Sequence, residues 1–206
     1  MIRSASSISL TGAATIPADY TIAPLSVEQY HAMARAGILE EGAPIELLEG
    51  YLVEKMTKHP PHSVATQLIQ DALRQVLPAG WRAVAQDPIT LFDSEPEPDV
   101  AVVRGDARRY LMRYPGPTEV ALVVEVSDSS LALDRGSKQR IYARAGIPAY
   151  WIVNLNDQWV ECFADPVGPA TNPRYNSAKV YAAGESIPLV IDGVEVGSII
   201  VDDILP

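Results

Sequence analysis

Two acids and a lysine stand in this chain where a fold could gather them around a phosphate. Asp99 follows Pro98 and opens the apolar run Val100-Ala101-Val102-Val103. Glu125 interrupts the most hydrophobic stretch of the chain, Val120 to Val126, and Lys138 comes one helical segment later. Hydrolysis of a phosphodiester needs a nucleophilic water and a way to neutralise charge on a pentavalent phosphorane-like state, and one or two Mg²⁺ ions can supply both. Magnesium takes hard oxygen ligands, typically one or two carboxylates, and keeps several waters. Asp99 and Glu125 are the candidate metal ligands, and the backbone carbonyl of Val126 is a further one. A carboxylate in such a run is expensive to bury unless it has a partner or a metal. A lysine near the metal-bound water can orient it or stabilise the developing charge. Helical spacing puts Lys138 on the same side as Ile141, Tyr142 and Ala145.

Structural alternatives exist for each residue. Asp99 can cap a turn after Pro98, and Glu125 can pair with an arginine. Lys138 can form an i,i+4 surface pair with Asp134, worth only a few tenths of a kcal/mol. Ser127 and Asp128 can be N-cap and turn residues. Tyr142, Tyr150 and Trp151 read as core rather than as platforms for stacked bases. No Gly-rich phosphate loop, CxxC pair or G-x-S-x-G motif offers a competing chemistry.

The elements that must position these groups follow from periodicity. Ser26 N-caps a helix whose apolar positions 27, 30, 33 and 34 share a face and which Gly37 ends. Residues 45–56 predict a hairpin turning near Glu49-Gly50. His59 to His62 read as a loop, since Pro60 and Pro61 disfavour helix there. A helix follows over 63–77, with Val64, Leu68, Ala72 and Leu73 facing inward. Short strands are expected at 81–85 and 88–92. The near-continuous apolar run 120–126 predicts a strand buried on both faces of a mixed or parallel sheet. Residues 133–145 are helical, with Gly146 as C′ residue. Residues 149–154 form a strand parallel to 120–126 through a right-handed crossover, and 159–164 pair with it. Short strands are expected near 178–182, 187–190 and 194–196.

These residues carry a family resemblance. Asp99 after Pro98, Glu125-Val-Ser, Asp134-Arg-Gly-Ser-Lys138 and Tyr142-Ala-Arg-Ala-Gly-Ile-Pro-Ala-Tyr-Trp-Ile-Val resemble the Uma2 family of restriction-endonuclease-like proteins, within the PD-(D/E)XK nuclease superfamily. The resemblance covers roughly residues 26–205. It implies an α/β fold with a mixed sheet: an αβββαβ core with extra N- and C-terminal β-strands. It also implies a divalent metal (Mg²⁺, with Mn²⁺ as substitute) and DNA as substrate. Asp99 matches the PD aspartate and Glu125 the acid of the (D/E)XK element. The sequence departs from the superfamily pattern at Ser127, where a lysine is expected; the family resemblance places that lysine on the next helix, as Lys138. His62 matches a histidine usual in the family, so it joins Asp99, Glu125 and Lys138 as a catalytic candidate. Glu46 and Glu49 are weaker candidates for an additional acid.

At 206 residues the chain is long enough for one domain, expected over 21–206. Residues 1–20, rich in Ser, Ala and Thr, read as a disordered leader without the apolar segment of a signal peptide. The single cysteine, Cys162, excludes an internal disulfide and reads as a small buried hydrophobe. No apolar run approaches membrane-spanning length, so a cytoplasmic protein with no membrane partner is expected. A formal net charge of −10 argues against a protein that coats nucleic acid. The charge is uneven: residues 99–148 carry +2 and the remainder −12, so basic side chains concentrate around the proposed site. An exposed sheet edge makes a homodimer plausible. The alternative to a nuclease is a non-catalytic binding or regulatory protein that retains the fold. The net charge, the displaced lysine and the lack of a separate DNA-reading domain speak for it.

Overall fold

A computed structural model describes residue 19, residues 21–40 and residues 42–206. The leader expected over residues 1–20 lies outside the described residues apart from residue 19. The first element among the described residues is α1 (Val27–Arg35), and Ser26 caps it as expected. The Ser26 hydroxyl accepts from the Gln29 N–H at 3.1 Å, and the Gln29 side chain accepts from the Ser26 N–H at 2.8 Å. An antiparallel hairpin of β1 (Ile45–Leu48) and β2 (Tyr51–Glu54) follows. Its turn needs the left-handed backbone at Gly50, whose φ is +82° and where a Cβ would stand 2.4 Å from Pro24.

Next come α2 (Pro60–Val76), β3 (Trp81–Ala85), β4 (Val100–Arg104), β5 (Val120–Ser127), a composite helix and β6 (Ala149–Asn154). This is the αβββαβ order expected from the sequence. The composite helix comprises α3 (Leu131–Leu133), a π turn (Asp134–Lys138) and α4 (Gln139–Arg144). Two long strands, β7 (Trp159–Val167) and β8 (Arg174–Ala182), extend the sheet to six strands in the order β3-β4-β5-β6-β7-β8. Among the described residues only β5 and β6 run parallel, and the other pairs of this sheet are antiparallel. A second hairpin, β9 (Ser186–Ile191) with β10 (Val194–Ile200), forms a separate two-stranded sheet.

Strand alternation divides the core between the two sheet faces. Val100 and Val102 of β4 and Leu122, Val124 and Val126 of β5 pack with Ile69 and Leu73 of α2 and with the β9–β10 hairpin. Ala101, Val103 and Val123 face the other way, onto Ile141, Tyr142 and Ala143 of α4. Each fully buried aliphatic contributes roughly 1.5–3 kcal/mol of transfer free energy. All eight residues of β5 are buried, as its unbroken apolar run predicts. By the same alternation Glu125 shares the α4 face with Val123, and there its carboxylate needs partners.

Three expectations are corrected. Helix α2 starts at Pro60, so His62 is helical rather than in a loop. Both prolines occupy the first helical positions, where a missing N–H costs nothing. Residues 88–92 are not a strand. The N–H groups of Ile89, Thr90 and Leu91 donate to Pro96, Pro115 and Ser94, carbonyls of neighbouring loops. The helix over 133–145 begins earlier, at Leu131, and widens at Asp134, whose carbonyl accepts from the Gln139 N–H five residues on.

Candidate active site

Strand β4 begins opposite Val124, so β5 runs on past the start of its neighbour. Asp99, just before β4, fills that gap with its side chain. Its Oδ2 accepts from the Val126 N–H at 2.9 Å, replacing the ladder bond β4 cannot supply. His62 Nε2, from the first turns of α2, lies 3.1 Å from the same oxygen. The other oxygen, Oδ1, meets the Lys58 ammonium at 3.3 Å. A strand residue points its N–H and C=O to the same side, so the Val126 carbonyl faces the same gap.

Glu125 is 3% exposed and Lys138 7%. The two meet directly: Lys138 Nζ donates to Glu125 Oε1 at 3.0 Å. Tyr142, one turn further along α4, donates its hydroxyl to the same oxygen at 2.6 Å. No hydrogen bond reaches Glu125 Oε2 from the described residues. Glu46 of β1 brings a second acid to Lys138, at 3.6 Å, while its Oε2 accepts from the Glu97 N–H at 3.1 Å. The Asp134–Lys138 surface pair is not formed. Asp134 is 1% exposed, and its Oδ2 accepts from the Ser127 and Ser130 hydroxyls at 2.5 and 2.6 Å.

Asp99, Glu125, Val126, Lys138 and His62 all line one cleft, together with Glu46, Lys58 and Asp134. Glu49 is not part of its lining; it turns outward to Arg140 and Arg144. Three of the residues around the site were not signalled as such by the sequence. By spacing Asp134 reads as the surface mate of Lys138 and Tyr142 reads as core, while nothing in the sequence singles out Lys58. The sequence signals are helical spacing, which puts Tyr142 on the Lys138 side, and the runs from Asp134 and from Tyr142 that carry the family resemblance.

Surplus acid sets the electrostatics. Burial raises the Glu125 carboxyl, to about 8, and the charges of Asp134, Asp99 and Glu46 add to the rise, outweighing the opposing Lys138. Burial also pushes Asp134 up against the pull of Lys138 and its two hydroxyl donors. For Lys138 burial works downward, but the three carboxylates of Glu125, Glu46 and Asp134 overcome it and the net shift is upward. The Lys138 ammonium is thus held charged by the carboxylates around it, while burial favours the protonated form of Glu125. Asp99 differs. Burial alone would raise it, but the His62 and Val126 hydrogen bonds, with the His62 and Lys58 charges, hold it below the usual carboxylate range.

The Tyr142 hydroxyl fixes which Glu125 oxygen is engaged and which is free. Tyr142→Phe is therefore expected to leave the core packed while weakening, by about 10–100-fold, the binding of any divalent cation held by Glu125, with Mn²⁺ as the probe; that is the usual scale for a group that orients a ligand. Calorimetry on the variant checks this.

The basic side chains counted near the site are mostly consumed by ion pairs. Arg104 binds Asp192, Arg109 and Arg113 bind Glu119, Arg135 binds Glu161, and Arg140 and Arg144 bind Glu49 and Asp93. The local excess of +2 is thus not a free basic groove.

The αβββαβ sheet with acids at the β4–β5 end defines a mixed α/β protein of restriction-endonuclease-like architecture. The model of the Uma2 family, described as "Putative restriction endonuclease", matches residues 27–196, and the chain belongs to that family. A crystal structure from Anabaena variabilis, titled as "a putative nuclease belonging to DUF820", shares the fold with a TM-score of 0.67 at 15% identity, covering 88% of this chain and 97% of that one. No curated protein matches the chain. No helix among the described residues is long and apolar enough to cross a membrane.

Proposed function

We propose that the chain is a metal-dependent endonuclease that hydrolyses DNA phosphodiester bonds at the Asp99–Glu125 cleft. One observation carries the reading: a buried carboxylate on β5 and another just before β4 line one cleft beside a buried lysine, Glu125 with one oxygen not hydrogen-bonded by the described residues and Asp99 with one oxygen met only by Lys58. The donor set fits a hard divalent cation. Asp99 Oδ1, Glu125 Oε2 and the Val126 carbonyl offer oxygen alone, as Mg²⁺ or Mn²⁺ prefers. Among the described residues no three Asp, Glu, His or Cys side chains form a ready-made cage.

When bound, such a cation supplies charge neutralisation at the phosphate and a water of lowered pKa. The chain's own residues do the positioning. His62 and the Val126 N–H hold Asp99 Oδ2, which leaves Oδ1 turned to the cleft. Tyr142 and Lys138 hold Glu125 Oε1 and leave Oε2 free. The Lys138 ammonium remains charged and can donate to an attacking water or to a phosphate oxygen.

The raised Glu125 carboxyl favours keeping a proton below about 8, which gives a signed pH dependence. A cation must displace that proton, so Mn²⁺ affinity is expected to rise by up to about tenfold per pH unit below about 8 and to level off above it. Metal-free stability runs the opposite way. The folded carboxyl titrates above its ordinary 4.5, so the folded state binds more protons between 4.5 and about 8, and stability falls as pH rises through that window. Calorimetric titrations and urea melts across pH 5–9 check both slopes.

The direct test incubates the protein with single- and double-stranded DNA and Mg²⁺ or Mn²⁺. Cleavage that requires metal and stops with chelator is the expected result. Mn²⁺ binding without turnover on any DNA would favour the non-catalytic reading, which the net charge of −10 and the consumed arginines support.

A further inference from the structure

Lys58 stands where the metal is expected. Asp99 Oδ2 is committed twice, to the Val126 N–H at 2.9 Å and to His62 Nε2 at 3.1 Å. Only Oδ1 is left for a cation, and the Lys58 ammonium already meets it at 3.3 Å. An ammonium and a divalent ion cannot share one carboxylate oxygen without strong repulsion. Loading the site therefore requires Lys58 to leave.

The surroundings allow it. Lys58 belongs to the segment between β2 and α2, its side chain is 31% exposed, and Asp99 is its single acid partner among the described residues. Lys138 differs on each count: its side chain is 9% exposed and held between Glu125 and Glu46. Lys55, in the same segment, is pinned to Glu97 at 2.8 Å. Of the three lysines lining the cleft, only Lys58 is both on the metal's oxygen and able to swing away. A displaced ammonium at the cleft rim needs a new anion, and a nucleic-acid substrate brings phosphate there.

We propose that Lys58 is a placeholder cation: it holds the metal position on Asp99 in the unloaded protein, and on loading it turns to a phosphate of the bound nucleic acid. The proposal rests on the reading of Asp99 and Glu125 as metal ligands. Lys58 then works against metal binding and in favour of substrate binding, two effects of opposite sign from one side chain.

The test compares wild type, Lys58→Met, Lys58→Arg and Lys55→Met. Calorimetric titration with Mn²⁺ in the absence of nucleic acid is expected to show about fivefold tighter binding for Lys58→Met, the upper range for loss of a partly exposed pair. Lys58→Arg keeps the charge and stays near wild type. Lys55→Met, a control for lowering positive charge at the same rim, changes less than about twofold. Duplex DNA binding is then measured in Ca²⁺ against salt concentration. Lys58→Met is expected to bind more weakly, with a salt slope shallower by about one. Unchanged or weaker Mn²⁺ binding in Lys58→Met, equal tightening in Lys55→Met, or an unchanged salt slope would each overturn the exchange. A wild-type protein that binds no Mn²⁺ would instead overturn the metal reading beneath it, so the two failures are distinguishable.

Discussion

Glu125→Gln is expected to abolish metal-dependent cleavage, with kcat lower by on the order of 10³-fold or more. That is the scale of the several kcal/mol a metal supplies to a phosphoryl transition state. The substitution is nearly isosteric. A glutamine carbonyl can still accept from Tyr142 and Lys138, the partners that now meet Oε1. It removes only the charge with which a divalent ion would be held. Asp99→Asn is expected to lose as much, by taking the charge from Oδ1 while keeping an acceptor for the Val126 N–H. If the two acids share one cation as proposed, the double variant should be little worse than either single one. Single-turnover cleavage checks the rates, and thermal melts check that both variants stay folded. Cleavage persisting in both would remove the site from the reaction.

Lys138→Met has the second large effect, and it falls on stability as well as activity. The ammonium lies between Glu125 and Glu46 in a buried setting. Removing one partner of a buried pair leaves an uncompensated charge and costs about 3–5 kcal/mol. Part of this can be evaded, because Glu125 already tends to keep its proton. The loss should therefore be largest above pH 8 and smaller near pH 5. Urea unfolding at both values measures the difference. Mn²⁺ is expected to restore part of the loss at high pH, since a ligand that binds only the folded state stabilises it. A methionine variant as stable as wild type at pH 9 would show that the lysine does not hold these acids together.

Much of this architecture could be read from residue order. The apolar run at 120–126 marks a doubly buried strand, and the one acid inside it marks the candidate site. Pro98-Asp99 marks the start of its neighbour. The parallel β5–β6 pair follows from two apolar strands joined by a helix. What could not be read depended on contacts between distant segments. Pro60 and Pro61 suggested a loop, because a sequence does not say which residue is the first of a helix. Once it is Pro60, His62 turns toward Asp99.

Asp134 and Lys138 fit a surface i,i+4 pair by spacing alone. The π turn and the Ser127 and Ser130 hydroxyls give Asp134 different partners and free Lys138 for Glu125. Glu46 reaches the same lysine from a hairpin far away in the chain. The local excess of arginine and lysine suggested a basic surface, yet counting charges cannot reveal that Glu119, Glu161, Glu49 and Asp93 absorb most of it.

Locating Mn²⁺ by anomalous scattering in soaked crystals would decide the matter. The wild-type protein should show one peak between Asp99 Oδ1 and Glu125 Oε2, with the Lys58 ammonium moved off Asp99, and Glu125→Gln crystals should show none. Density only at outer acids such as Glu49, with Lys58 still on Asp99, would contradict a shared ion in the cleft.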